Sequence, residues 1–432
     1  VAVKPALSTE RSAALYRRAL QLLPGGVNSP VRAMRAISRE PIFIASGTGA
    51  RVRDADGNEY VDWVCSWGPL IVGHAHPDVV AAVCAAARGG TSFGAPTEAE
   101  VQLAAELAAR IASVEMVRMT SSGTEAAMSA IRLARAATGR ETVLKFAGAY
   151  HGHVDGLLAQ AGSGLATQGI PSSPGVPAAA AAATVVVPFN DIAAVRAAAR
   201  RHALAAILVE PVAANMGLVL PAEGFLGALR EIADDCGALL VFDEVITGLR
   251  VARGGAQERY GVRPDLTILG KVIGGGLPAA AFGGPRRLME HIAPAGNVYQ
   301  AGTLSGNPLA TAAALATLRL LDGSAYERLE RITAALADGL RQAAARAGAR
   351  ATVNSVCGLV SVFFRSTAPR NYAEVCECDT AAYGAFCREL LARGVYPPPS
   401  QFEAWFPSLA HGEEELSRTL AAAEIAFARA HG

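Results

Sequence analysis

Short apolar runs separated by helical stretches set the rhythm of the middle of the chain. Met116–Met119, Val143–Phe146, Thr184–Val187, Ala206–Val209, Ala238–Phe242 and Leu266–Leu269 read as strands. Several are apolar at every position rather than at alternate ones, as in strands covered on both faces. Between them lie alanine-rich helical stretches such as Ala126–Thr138 and Phe225–Cys236. Strand–helix alternation predicts an α/β fold with a mostly parallel sheet under helices. Such sheets bind ligands at the carboxyl ends of their strands.

The chain ends read differently. Before the strand pattern begins, turn signals stand out at Pro24-Gly25-Gly26 and Asp56-Gly57-Asn58. From Leu309 a long helical stretch leads into an α+β pattern, Val353–Phe364 and then a helix around Ala381–Arg393. At 432 residues the chain is long for one simple core. A large domain, 66–310, is expected beside a smaller α+β domain built from both ends, 1–65 and 311–432. The alanine run Ala178–Ala183 is expected at the edge of a loop.

Composition narrows the function. Half the residues are hydrophobic (51%) and the formal net charge is +1, so neither nucleic acid nor a membrane surface is an expected partner. Seven scattered cysteines argue against a disulfide framework and for a reducing cytoplasm. Val1 to Leu20 carries Lys4, Glu10, Arg11, Arg17 and Arg18 and lacks a signal-peptide core. The uncharged stretch between Asp155 and Asp191 is broken by glycines and prolines, so it reads as a long loop, not a membrane span. Its part from His153 to about Pro177 is expected to act as an active-site lid.

Four strand ends carry candidate chemistry. Lys271 follows Ile268-Leu269-Gly270 and precedes Gly274-Gly275-Gly276. A partly desolvated lysine amine can form an imine with an aldehyde cofactor. Asp243 ends the run Leu239-Leu240-Val241-Phe242, where a carboxylate can stabilise the protonated nitrogen of a pyridine-type cofactor. A Walker B acid is the competing reading, but no GxxxxGK[ST] loop accompanies it. Ser122, Gly123 and Thr124 open a helix after Met116–Met119; Ser122 and Glu125 fit a capping box, and the N–H groups behind them attract phosphate. Tyr150, in Lys145-Phe146-Ala147-Gly148-Ala149-Tyr150-His151-Gly152-His153, can stack on a flat ring. The histidine pairs His151/His153 and His74/His76 lack the cysteine or acidic ligands that would complete a metal site, and no metal is expected. Together these residues point to a phosphate-bearing aldehyde cofactor.

Longer motifs then show a likeness. Leu23-Pro24-Gly25-Gly26-Val27-Asn28-Ser29-Pro30-Val31-Arg32-Ala33, Ser66-Trp67-Gly68-Pro69, Gly73-His74-Ala75-His76-Pro77, Gly162-Ser163-Gly164, Pro171-Ser172-Ser173-Pro174-Gly175-Val176-Pro177 and Tyr299-Gln300-Ala301-Gly302-Thr303-Leu304-Ser305-Gly306-Asn307-Pro308 span nearly the whole chain. The chain resembles the glutamate-1-semialdehyde 2,1-aminomutases, a branch of the class III aminotransferases within the fold-type I pyridoxal-phosphate enzymes.

That resemblance implies a cofactor alternating between pyridoxal 5'-phosphate and pyridoxamine 5'-phosphate. It implies an isomerase that moves an amino group between adjacent carbons, from glutamate 1-semialdehyde to 5-aminolevulinate, a porphyrin precursor. Lys271 would hold the cofactor and shuttle protons. Asp243 would pair with the ring nitrogen, Tyr150 would stack on the ring, Ser122, Gly123 and Thr124 would take the phosphate, and Asn215 would stand near the cofactor. Thr303 would complete the phosphate site across a homodimer interface. Ser29, Arg32, Trp67, Ser163 and Glu403 would contact substrate. Gly217, Trp405, Pro397 and Pro398 depart from the family's pattern and are expected near the pocket. The competing activity is an ω-aminotransferase that passes the amine to a separate keto acid. A non-catalytic binding protein would need neither Lys271 nor Asp243. A nicotinamide dehydrogenase would need an early G-x-G-x-x-G, which is lacking.

Overall fold

The computed structural model describes residues 7–159 and 173–430. Three short antiparallel strands come first: β1 (Ile44–Thr48), β2 (Arg51–Asp54) and β3 (Glu59–Asp62). Next come β4 (Met116–Thr120), β5 (Thr142–Phe146), β6 (Thr184–Val187), β7 (Leu204–Val209), β8 (Leu239–Glu244), β9 (Leu266–Leu269) and β10 (Ala280–Gly284). They form one seven-stranded sheet in the order β4-β10-β9-β8-β7-β5-β6. The pairings β6–β5–β7–β8–β9 are all parallel, so the expected α/β architecture is present.

β10 is the exception. It runs antiparallel between β4 and β9. Its sequence, Ala-Ala-Phe-Gly-Gly, lacks the β-branched residues that mark strands, which is why the apolar pattern passed over it. Small residues are required there: a Cβ on Gly284 would come within 2.6 Å of the Asp265 carbonyl oxygen.

β7 is buried at every position, as its continuous apolar run requires. One apolar layer packs Phe146, Phe189 and Phe225 edge to face. On the other face the helix Gly123–Thr138 lies against the sheet through Ala126, Ala130 and Leu133.

The two chain ends meet. β11 (Thr352–Val356) and β12 (Leu359–Phe363) form a hairpin, and β13 (Val395–Tyr396) pairs in parallel with β3. A shared core joins Trp63 from the first end to Phe386, Trp405 and Phe427 from the second. The run Ala178–Ala182 is a short helix rather than loop edge, since alanine is the best helix former.

Candidate active site

The ends of the central strands line up to make the site. Register pairs Val209 with Phe242, so Glu210 and Asp243 stand level at neighbouring strand ends. Asp243 pairs with Ile268, which sets Lys271 just past the next strand. Among the described residues, Lys271, Asp243, Glu210, Tyr150, Asn215 and the turn Ser122–Thr124 all line one cavity of about 280 Å3.

Lys271 occupies the left-handed region with φ of 49°. For a non-glycine residue that conformation is uncommon and tends to cluster where surrounding structure over-determines it. Gly270 stays extended at φ −169°. A Cβ there would meet Val245 at 3.1 Å. From the other side Gly68 lies against the lysine stem, where an added Cβ would come within 3.3 Å of Lys271 Cδ. Gly68 closes a turn in which Cys65, Ser66 and Trp67 are all left-handed, and its carbonyl accepts from the buried Arg250 guanidinium. Burial pushes the Lys271 ammonium down from its usual range, and the carboxylates of Glu403, Asp243 and Glu210 oppose that shift. A larger share of neutral, nucleophilic amine results.

Asp243 accepts the Val245 N–H at 3.0 Å through Oδ1 and bonds His151 Nδ1 at 2.7 Å through Oδ2. His151 is buried, and its Nε2 has no partner among the described residues. Sequence reasoning weighed His151 only as a metal ligand; its place beside Asp243 comes from the tertiary fold. Glu210 was passed over as well. Its signal was legible: like Asp243, it is a carboxylate at the end of a wholly apolar strand.

The turn before Gly123–Thr138 forms the expected capping box. Ser122 Oγ accepts the Glu125 N–H at 3.2 Å, and Glu125 Oε2 accepts the N–H groups of Ser121 and Ser122. The N–H groups of Gly123 and Thr124 have no intrahelical acceptor and carry the positive end of the helix dipole. Gly152 packs directly on Thr124, so Tyr150 and the phosphate-type cradle share a wall. Burial pushes the Tyr150 hydroxyl up.

The remaining residues are spread more widely. Glu403 is 8% exposed, and its charge acts on Lys271 and Tyr150. Trp67 is half-buried in the left-handed turn. Ser29 and Arg32 belong to the short turn Pro30–Ala33 and its cap, where Ser29 lines a separate surface pocket and Arg32 is exposed. Thr303 is exposed and lines another pocket with Phe93 and Gly302, away from its own chain's Lys271. Ser163 and residues 160–172 of the expected lid lie outside the described residues.

Two departures from the family's pattern do not face the cavity. Trp405 is fully buried among Trp63 and Phe386, in the core joining the chain ends. Gly217 is left-handed at φ 71°, and a Cβ there would meet Phe363 at 2.6 Å.

The residues present suit an aromatic, phosphate-bearing aldehyde. A depressed lysine, a carboxylate anchored by a buried histidine and an anion-binding helix start converge on one cavity. Among the described residues no cluster of His, Cys, Asp and Glu could hold a metal ion, and no helix is long and apolar enough to cross a membrane.

Comparison with known proteins agrees with this chemistry. The family model described as aminotransferase class-III matches residues 34–416. A glutamate-1-semialdehyde 2,1-aminomutase of Roseiflexus castenholzii is 58% identical over 424 residues, 98% of each chain. Among solved structures, an omega-transaminase from Sphaerobacter thermophilus superposes with a TM-score of 0.90 at 35% identity, covering 97% of this chain and 98% of that one. A glutamate-1-semialdehyde aminomutase from Pseudomonas aeruginosa PAO1, in complex with PMP, gives 0.86 at 30% identity, covering 96% and 94%.

Proposed function

The chain belongs to the class-III aminotransferase family, and we propose that within it the protein is a glutamate-1-semialdehyde 2,1-aminomutase that forms 5-aminolevulinate for tetrapyrrole synthesis. The likeness to a named aminomutase at 58% identity over almost the full length carries this reading. Pyridoxal 5'-phosphate, alternating with pyridoxamine 5'-phosphate, is its cofactor. When bound, it supplies an electron-withdrawing ring and carries the amino group between neighbouring carbons. The reaction is an isomerisation, so substrate and product share one molecular formula and no separate amino acceptor is consumed.

The chain's own residues divide the work. Lys271 Nζ, whose ammonium is disfavoured by burial, would move protons between the reacting carbons. Asp243 would keep the ring nitrogen protonated, and His151 holds the Asp243 carboxylate in place. Gly123 and Thr124 would offer N–H groups to the phosphate, beside the Ser122 hydroxyl, which accepts the Glu125 N–H in the cap. Tyr150 and Asn215 line the same cavity, where Tyr150 would stack on the ring. Arg32, with Ser29, Trp67, Ser163 and Glu403, selects the substrate; the planar guanidinium suits a carboxylate.

The active assembly in this reading is a homodimer in which Thr303 of the partner subunit completes the phosphate site. Exposed Phe93, Tyr299 and Leu304 near Thr303 support an apolar contact there. The division into 66–310 and the flanking pieces 1–65 and 311–432, and a cytoplasmic location, are part of the same proposal.

The deciding experiment mixes purified protein with glutamate 1-semialdehyde, without an amino acceptor, and follows 5-aminolevulinate. Sustained formation is expected. No product, together with amination of an added keto acid, would instead make the protein an ω-aminotransferase.

A further inference from the structure

Lys145 and Glu210 are two buried charges that the reaction above does not use. Lys145 sits in β5 with no exposure, and Glu210 follows β7 with 4%. Burying a charge is costly unless it is paired and hydrogen-bonded. A hydrophobic side chain would fill the Lys145 position in β5 more cheaply.

Both charges converge on a single peptide unit. Lys145 Nζ donates to the Ala149 carbonyl at 3.1 Å, and also to Leu157 O at 2.9 Å and Ala159 O at 3.0 Å. All three ammonium hydrogens are thereby used. Glu210 Oε1 accepts the Tyr150 N–H at 2.8 Å, and its Oε2 accepts the Ala214 N–H at 2.9 Å. The Ala149 carbonyl and the Tyr150 N–H are the two polar ends of one trans peptide, which point in opposite directions. A cation holds one end and an anion the other.

Two residues of the cleft hang from this peptide. Tyr150 lines the cavity, and His151, next along, carries the 2.7 Å bond to Asp243. We propose that Lys145 and Glu210 are positioning residues: they grip the Ala149–Tyr150 peptide from both sides and so fix where Tyr150 and His151 stand against the cofactor ring. This inference rests on the cofactor reading given above. Charge-assisted hydrogen bonds are stronger and more directional than neutral ones, which suits a fixed grip. Burial pushes the Lys145 ammonium down to about 7 and the Glu210 carboxyl up; the Glu210 charge opposes the lysine's shift, and the Tyr150 and Ala214 N–H groups oppose that of Glu210.

The test is a double-mutant cycle on cofactor binding. Wild type, Lys145→Gln, Glu210→Gln and the double variant are stripped of cofactor. Each is titrated with pyridoxal 5'-phosphate by fluorescence quenching, and its melting temperature is measured without cofactor. Each single variant is expected to weaken binding about tenfold; Glu210→Gln is expected to melt near wild type, whereas Lys145→Gln, which leaves buried carbonyls short of a donor, is expected to melt lower. The double variant is expected to bind about as weakly as the worse single, because one peptide is released once. In turnover, kcat is expected to fall while KM for the semialdehyde stays close to wild type. Wild-type affinity in either folded single variant, or losses that multiply in the double, overturns the grip. Glu210→Gln is nearly isosteric, so it decides alone if Lys145→Gln does not fold. If wild type itself fails to bind pyridoxal 5'-phosphate, the cofactor reading falls and this inference with it.

Discussion

At the scale of single residues, Lys271 shows how a site combines chemistry with strain. Its left-handed backbone is fixed by Gly270 behind it and by Gly68 against its stem. Replacing the side chain leaves that backbone feasible but removes the amine. Lys271→Ala is therefore expected to fold and to lose at least about a thousandfold in kcat, measured as 5-aminolevulinate formed at saturating substrate. Asp243→Asn tests a second residue. The amide keeps the shape but lacks the charge that bonds His151 and would hold a ring proton, so kcat is expected to fall about a hundredfold or more. Retained activity in that variant would remove Asp243 from its role. Trp405 belongs at this scale too. Because it is buried among aromatic rings, Trp405→Ala is expected to cost about 3 kcal/mol of stability by the usual penalty for emptying a core. Its KM is expected to change little, as urea unfolding and steady-state kinetics would show.

At the scale of elements, strand ends and helix starts supply nearly all the chemistry. Glu210, Asp243 and Lys271 are brought level by the register of β7, β8 and β9. The chain ends are joined by a different device. His411 stacks on Trp63 with ring centroids 3.8 Å apart, donates to the Asp62 carbonyl, and accepts the Ser408 N–H. Burial lowers its pKa to about 4. Since the folded value lies below the unfolded one, the unfolded state binds the proton first, and stability is lost as pH falls from about 6.5 towards 4. The loss attributable to this group is on the order of 3 kcal/mol, and denaturation series at stepped pH should show it shrink in His411→Gln.

At the scale of the whole molecule, the position of Thr303 makes the strongest demand. It lies in a pocket apart from its own chain's Lys271, so a shared site predicts complementation. Lys271→Ala and Thr303→Trp chains should each be nearly inactive alone. Refolded together in equal amounts, they should recover about a quarter of wild-type activity, because half of the dimers carry one intact site of two. No recovery from a mixture shown by mass to contain mixed dimers would place Thr303 outside the site.

Much of this protein is written locally. Apolar runs marked six strands of the large sheet, several of them continuous because a strand buried on both faces has no polar face to show. Lys271, Asp243 and the capping box at Ser122 were legible because each is a polar group where an apolar run ends. The antiparallel β10 was not, since its alanines and glycines answer to close backbone neighbours rather than to any period. Tertiary structure alone set His151 on Asp243, and Lys145 and Glu210 on one peptide. It also turned Trp405 into the core where a departure from the family had pointed to the pocket. The reason is physical. Periodicity records which face of an element is buried, whereas the partner of a buried polar group is chosen by strands far apart in sequence and level in space.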